Sequence, residues 1–281
     1  MRQLLRQETC KHTTQLALTL IEHSRMLKVQ YKYTWLLEDV EDRIRVLRDS
    51  LEILSGNGLD VTATSLALQM QHSPNESSTA VIACLHELSV ALGDRYKHSG
   101  QPDDLDEQVE LLRLASGAPL DDSTLAVSIP CELGAALRTR FFHAGDSTDI
   151  LEAFKLHSSL LNLHPVGDPS RPRLLFELAY TIYVRSTEFR NDDDLLWCTS
   201  LLDEGLKLLT EFDSWIYMAR YILAKVLWAR HRRGGGASFL HASAAIYHDL
   251  LHSLPVSHPD RWMVYYSLSS CMGSSTSRQM I

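Results

Sequence analysis

Every forty-fifth residue from Leu88 onward carries the same chemistry. Leu88, Leu133, Leu178, Leu223 and Leu268 form one column, and the next position holds Ser89, Gly134, Ala179, Ala224 and Ser269, all small. Four positions past the leucine stand Leu92, Leu137, Ile182, Leu227 and Met272, and seven past it Arg95, Arg140, Arg185 and Arg230. A fixed period of this length is the mark of stacked supersecondary units, each able to bury its apolar face only against its neighbours. Such arrays have no single-core size limit, so the 281 residues fit one continuous array as readily as one or two domains.

The unit 128–172 shows what repeats. Ile129, Leu133, Ala136, Leu137 and Phe141 lie at helical spacing, with Pro130 expected in the first turn, where a missing N–H costs little. Gly145 is the expected C-terminal cap. Asp149 would cap a second helix, and Glu152 would complete a capping box. Leu151, Phe154, Leu156, Leu160 and Leu161 give that helix its apolar face, and three prolines close the unit. The preceding unit offers Gly100, Asp104 and Glu107 in the same roles. The following one keeps Asp194 and Leu195, with Asn191 read in place of the turn glycine. A fourth unit turns at Gly234–Gly236, and one further first helix lies around Trp262 to Met272. Upstream, helices are expected over 3–32, 36–54 and 59–71, and no strand alternation persists.

Leu133-Gly134, Ala153 and Pro165 stand in the order of the tetratricopeptide repeat, which this unit resembles, although 45 residues exceed the usual 34. The longer unit is similar to the extended tetratricopeptide-like repeats abundant in fungal proteins. Their pattern appears as Leu133-Gly134, Arg140-Phe141, Gly145, Asp149-Ile150 and Pro165-Val166-Gly167-Asp168-Pro169-Ser170-Arg171. It returns 90 residues on at Pro255 to Arg261. The resemblance implies an all-α, right-handed α-solenoid of helix–turn–helix repeats. It would comprise an N-terminal helical cap over 1–35, a repeat array over 36–273 with clear units from about 84, and a disordered tail over 274–281. Members of that group often carry a caspase-like CHAT peptidase domain after the repeats, and none is found up to Ile281.

The net charge of −8 argues against nucleic acid, whose binders need a basic face, and against docking on anionic membranes. The start of the chain lacks the apolar core of a signal peptide, and no run is long and apolar enough to span a bilayer. Five widely spaced cysteines, with no C-x-x-C, suggest neither zinc nor a disulfide framework and fit a cytoplasmic location. No catalytic motif, metal site or cofactor site is expected. His248 and His252 lie on one helix face without further ligands, and Arg230-His231-Arg232-Arg233 lacks phosphate-loop spacing.

Arg95, Arg140, Arg185 and Arg230 are the candidate partner-binding residues, a stripe able to grip acidic peptides through bidentate pairs. Their competing role is internal. Each falls in the last turn of its helix, favourable to the dipole, and could pair with Asp104, Asp149 or Asp194 across the turn. The expected function is a non-catalytic scaffold binding a peptide or helix in the groove of the first helices. The alternative is the regulatory repeat region of a CHAT-type cysteine peptidase. Self-association through Trp262, Tyr265 and Leu268 of the last, open repeat is a further expectation.

Overall fold

The structure, a computed structural model, describes residues 2–55, 76–119, 123–210, 213, 215–254 and 260–277. The helix expected over 59–71, most of the second proline motif at 255–261, and Asn75, which opens the glycosylation-acceptor-like triplet Asn75-Glu76-Ser77 expected in a loop, all lie outside them. Eleven α-helices and no strand occur among the described residues. They fall into two compact units, Met1–Asp149 and Ile150–Ile281.

The first unit holds α1 (Arg2–Thr34), α2 (Leu37–Ser55), α3 (Glu76–Ser99), α4 (Pro102–Ser116) and α5 (Ser123–Ala144). Helix α6 (Ser147–Leu163) starts at its end. The long first helix buries Ala17, Ile21 and Tyr31 and packs on both α2 and α3. The second unit holds α7 (Arg171–Phe189), α8 (Asp192–Leu208), α9 (Ile216–Arg232), α10 (Ala237–Ser253) and α11 (Arg261–Ser277). Successive helices form antiparallel hairpins, α7 with α8 and α9 with α10, and α9 also touches α7 and α11.

The repeat columns become the packing. Leu88, Leu133 and Leu178 are buried, as are Leu92, Leu137 and Ile182. Ala179 and Ala224 are fully buried where two helices cross, and there the partner helix donates a side-chain hydrogen bond to the helix backbone. Cys198 Sγ donates to the Ala179 carbonyl at 3.1 Å, and Ser243 Oγ, one repeat on, donates to the Ala224 carbonyl at 2.8 Å. A bulkier residue at either alanine would push the helices apart. In the last helix Ser269 and Met272 of the same columns are exposed, because no further hairpin covers that face among the described residues.

The motif arginines also have a repeated task. Arg171 Nη1 donates to the His164 carbonyl at 2.7 Å, and Arg261 Nη1 donates to the Leu254 carbonyl at 2.7 Å. Each arginine opens one hairpin and binds the unsatisfied carbonyl end of the helix before it, where a cation is favoured.

Three local expectations are corrected. Pro130 lies inside α5 and not in its first turn, because Ser123 to Val127 already continue the helix upstream. The Ala126 carbonyl, four residues before, therefore has no amide to accept from at Pro130. Asp149 and Asp104 are not caps. Asp146 Oδ1 accepts the Thr148 N–H at 2.9 Å, and α4 starts with Gln101 followed by Pro102, without a side-chain cap. Both aspartates sit a few residues inside their helices and face an arginine instead. Asn191 is the N-cap of α8, accepting from Asp193 N at 3.1 Å, while the left-handed turn residue is Arg190, with φ 51°. Gly100 and Gly145 do take that conformation, with φ 66° and 70°, and donate to Tyr96 and Phe141 carbonyls. At the other end α11 runs to Ser277, into the segment read as a tail. Gly273 keeps negative φ there and so does not cap the helix.

Candidate binding groove

Three of the four column arginines are held by their own unit's aspartate. Arg140 Nε and Nη2 donate to the two oxygens of Asp149 at 2.8 and 2.7 Å. Arg185 makes the same fork to Asp194 at 3.0 and 2.7 Å, and Arg95 Nε reaches both oxygens of Asp104 at 3.1 Å. The paired carboxylate holds the Arg95 and Arg140 guanidinium groups above their ordinary pKa, against the opposing pull of burial. Arg185 also lies 3.8 Å above the centre of the Phe154 ring. These pairs tie the end of one helix to the start of the next across each turn.

Arg230 breaks the series. Position 239, where an aspartate would be due, is Phe239, and the Arg230 guanidinium stacks 4.2 Å over that ring. It borders an open cleft along α8, with Thr199, Asp203 and Lys207. The neighbouring Arg233 takes up polar work, donating to the Asn191 carbonyl at 3.0 Å and to Asp192 at 2.8 Å.

A different set of residues lines the groove face of the second unit. A cleft of about 410 Å³ is walled by Tyr183 of α7, Tyr221 and Trp228 of α9, Tyr247 of α10, and Trp262 and Tyr266 of α11, with Lys225 among them. It continues past Tyr183 and Trp228 into a second cleft of about 570 Å³, where Arg190, Arg232 and Arg233 gather with Asp192. The Lys225 ammonium lies 5.7 Å from the Tyr183 ring centre and 5.3 Å from that of Tyr221. The Arg232 guanidinium lies 5.1 Å from the Trp228 ring. All three distances are those of cation–π pairs. Burial raises the Tyr183 hydroxyl to about 12 and pushes Tyr217 and Tyr247 upward too. Burial likewise lowers Lys225 below the ordinary lysine value. The Trp228 Nε1–H is buried and donates to nothing among the described residues.

Sequence reasoning reaches only the tryptophans among these groove residues, Trp228 and Trp262, and passes over the rest, which belong to no constant column. Their signal is the opposite one. Five residues past the column leucine stand Gly93, Arg138, Tyr183, Trp228 and Gly273, and two past it Val90, Ala135, Tyr180, Lys225 and Ser270. Positions on a helical face that change from repeat to repeat are not dictated by the packing common to all of them.

Elsewhere, the His248 and His252 rings lie 4.3 Å apart between centres, tilted by 54°, and no group of three metal-ligating side chains occurs among the described residues. No described helix is long and apolar enough to cross a membrane. Cys84, Cys131, Cys198 and Cys271 are buried free thiols, while the side chain of Cys10 is outside the description.

The fold is that of an all-helical array of tetratricopeptide-like hairpin repeats. A solved crystal structure from Podospora anserina, of a protein described as a kinesin light chain with nearly identical tetratricopeptide-like repeats, is similar to it. The TM-score is 0.52 and the identity 18%, covering 86% of this chain and 99% of that chain. At that identity the likeness is one of fold. No protein-family model and no curated protein matches the chain.

Proposed function

We propose that this chain is a protein-interaction scaffold that receives a peptide or helix of a partner in the groove formed by its first helices. The supporting observation is the division of labour among repeat columns. Leucine, small and arginine columns are spent on packing and on turn pairs within the array. The aromatic and cationic residues on the groove face of α7, α9 and α11 differ from repeat to repeat and leave an open, aromatic-lined cleft. Aromatic residues and arginine anchor protein interfaces more often than other types. The paired Arg95, Arg140 and Arg185 belong in this reading to the scaffold. Arg230, stacked on Phe239, is the column member left for a partner. A cytoplasmic setting accords with the buried thiols and needs no cofactor.

The test is to immobilise the full chain, identify co-purifying proteins by mass spectrometry, and rebuild the complex from purified components. A direct complex with Kd of about 1 μM or tighter, near −8 kcal/mol, is expected. Failure of every recovered protein to bind directly would remove the scaffold reading.

A further inference from the structure

We propose that the groove of the second unit is a docking site for an acidic segment of a partner protein, with Lys225 as its anchoring cation. The inference deepens the scaffold reading and rests on it.

The fold does not ask for a lysine at this place. The equivalent positions are Val90, Ala135, Tyr180 and Ser270, all uncharged. Nor does the free protein neutralise it. Among the described residues no carboxylate pairs with Lys225, whose ammonium lies near the rings of Tyr183 and Tyr221. A half-buried cation without a counter-ion costs stability in the unbound chain, and an incoming carboxylate would offset that cost.

Arg190 points the same way. It fills the left-handed turn position that glycine holds at Gly100 and Gly145, accepting φ 51° where a residue without Cβ is at ease. Its side chain lines the cleft beside Arg232 and Arg233. Among the described residues only Arg233 has an acidic partner there, Asp192 at 2.8 Å. The groove thus presents cations in a chain whose net charge is −8.

Charge sign and shape together select the occupant. Cations interleaved with Tyr183, Trp228, Trp262 and Tyr266 suit a segment that alternates carboxylates with apolar side chains. A nucleic acid would need a broad basic face, and the rest of the chain repels it.

The probe is a fluorescein-labelled peptide of glutamates with leucine at every third position, about ten residues long and able to span roughly 33 Å. Fluorescence anisotropy should show it binding the full chain, while the same peptide with lysines in place of glutamates does not bind. Lys225→Met should weaken the acidic peptide by about tenfold or more, and Lys225→Arg should retain most of the affinity. Lys155→Met, with the same charge change at an exposed position of α6, should leave binding unchanged. Lys225→Met should also raise the melting temperature of the free protein, which no stabilising role for Lys225 would allow.

Equal binding by wild type and Lys225→Met, equal binding of both peptides, tighter binding of single-stranded DNA, or a lowered melting temperature in Lys225→Met would each overturn the proposal. A native partner that binds the Lys225→Met chain as well as the wild type leaves the scaffold reading intact and removes this site. Lys225-dependent peptide binding without any reconstituted partner does the reverse.

Discussion

Replacing Asp194 by alanine separates the two roles open to the arginine column. Asp194 is almost wholly buried, and its oxygens accept a fork from Arg185, whose side chain is 16% exposed. Removing one member of a fully buried ion pair costs about 3–5 kcal/mol, mostly through the charge left behind. Here that cost is reduced, because Arg185 keeps its stack on Phe154 at 3.8 Å and water reaches its edge. A loss of about 2–3 kcal/mol is expected. Urea denaturation followed by far-ultraviolet circular dichroism should show it as a lower midpoint at unchanged slope. The melting temperature should fall by roughly 5–10 °C. Arg185→Met paired with Asp194→Ala should cost less than the sum of the two single changes, by about 1–2 kcal/mol. If the arginines existed to grip a ligand, removing the aspartate would free them at little cost. A loss under about 0.5 kcal/mol, or strict additivity, would refute the internal, turn-closing role of the arginine column.

Gly205→Ala should destabilise the second unit by about 1 kcal/mol net in the same assay. A Cβ at Gly205 would stand 2.5 Å from the buried Phe176 ring, and the overpacking outweighs the gain in helix propensity. Stability of the first unit should fall with acid through Glu87. Burial alone would raise that carboxyl, but Lys28, His86 and Arg25 outweigh it and hold its pKa below the ordinary value. The stabilisation is complete above the unfolded pKa of about 4.3 and is lost as pH falls through the lower, folded value. Melting temperatures taken from pH 7 to about 3 should drop less for Glu87→Gln than for wild type. Burial raises the Cys84 thiol to about 12 and raises Cys198 as well, so both should resist Ellman's reagent at about pH 8 until urea is added. Rapid reaction of either in the native protein would contradict their burial.

What the sequence made legible follows from what repeats. A residue that must fill the same crossing in every hairpin writes the same letter at each period, so Leu133, Gly134 and Leu137 announced their helix, and the glycines announced their turns. The pairing of Arg140 with Asp149 was open to the same reading, since both recur together in successive units. The details that went astray are short-range ones. Asp149 and Asp146 are both acceptable N-caps by type, and only the backbone path decides which reaches an N–H and which reaches Arg140. Pro130 marked a first turn by preference, yet α5 tolerates it in the interior because tertiary packing outweighs one missing hydrogen bond. The groove escaped for the opposite reason. Lys225, Trp228 and Tyr183 belong to columns that vary between repeats, and recurrence passes over residues whose value lies in being different.

The turn pairs carry a further consequence. Because the α7–α8 hairpin is closed by Arg185 and Asp194 and clasped to the helix before it by Arg171, its polar ties draw on none of the exposed residues of the groove face. Selection can therefore rewrite that face without disturbing the frame. Chains with the same leucines, small residues and turn pairs, but other residues at positions 225, 262 and 266, would share one skeleton and answer to different molecules. The array is in this sense an address whose characters can be changed one hairpin at a time.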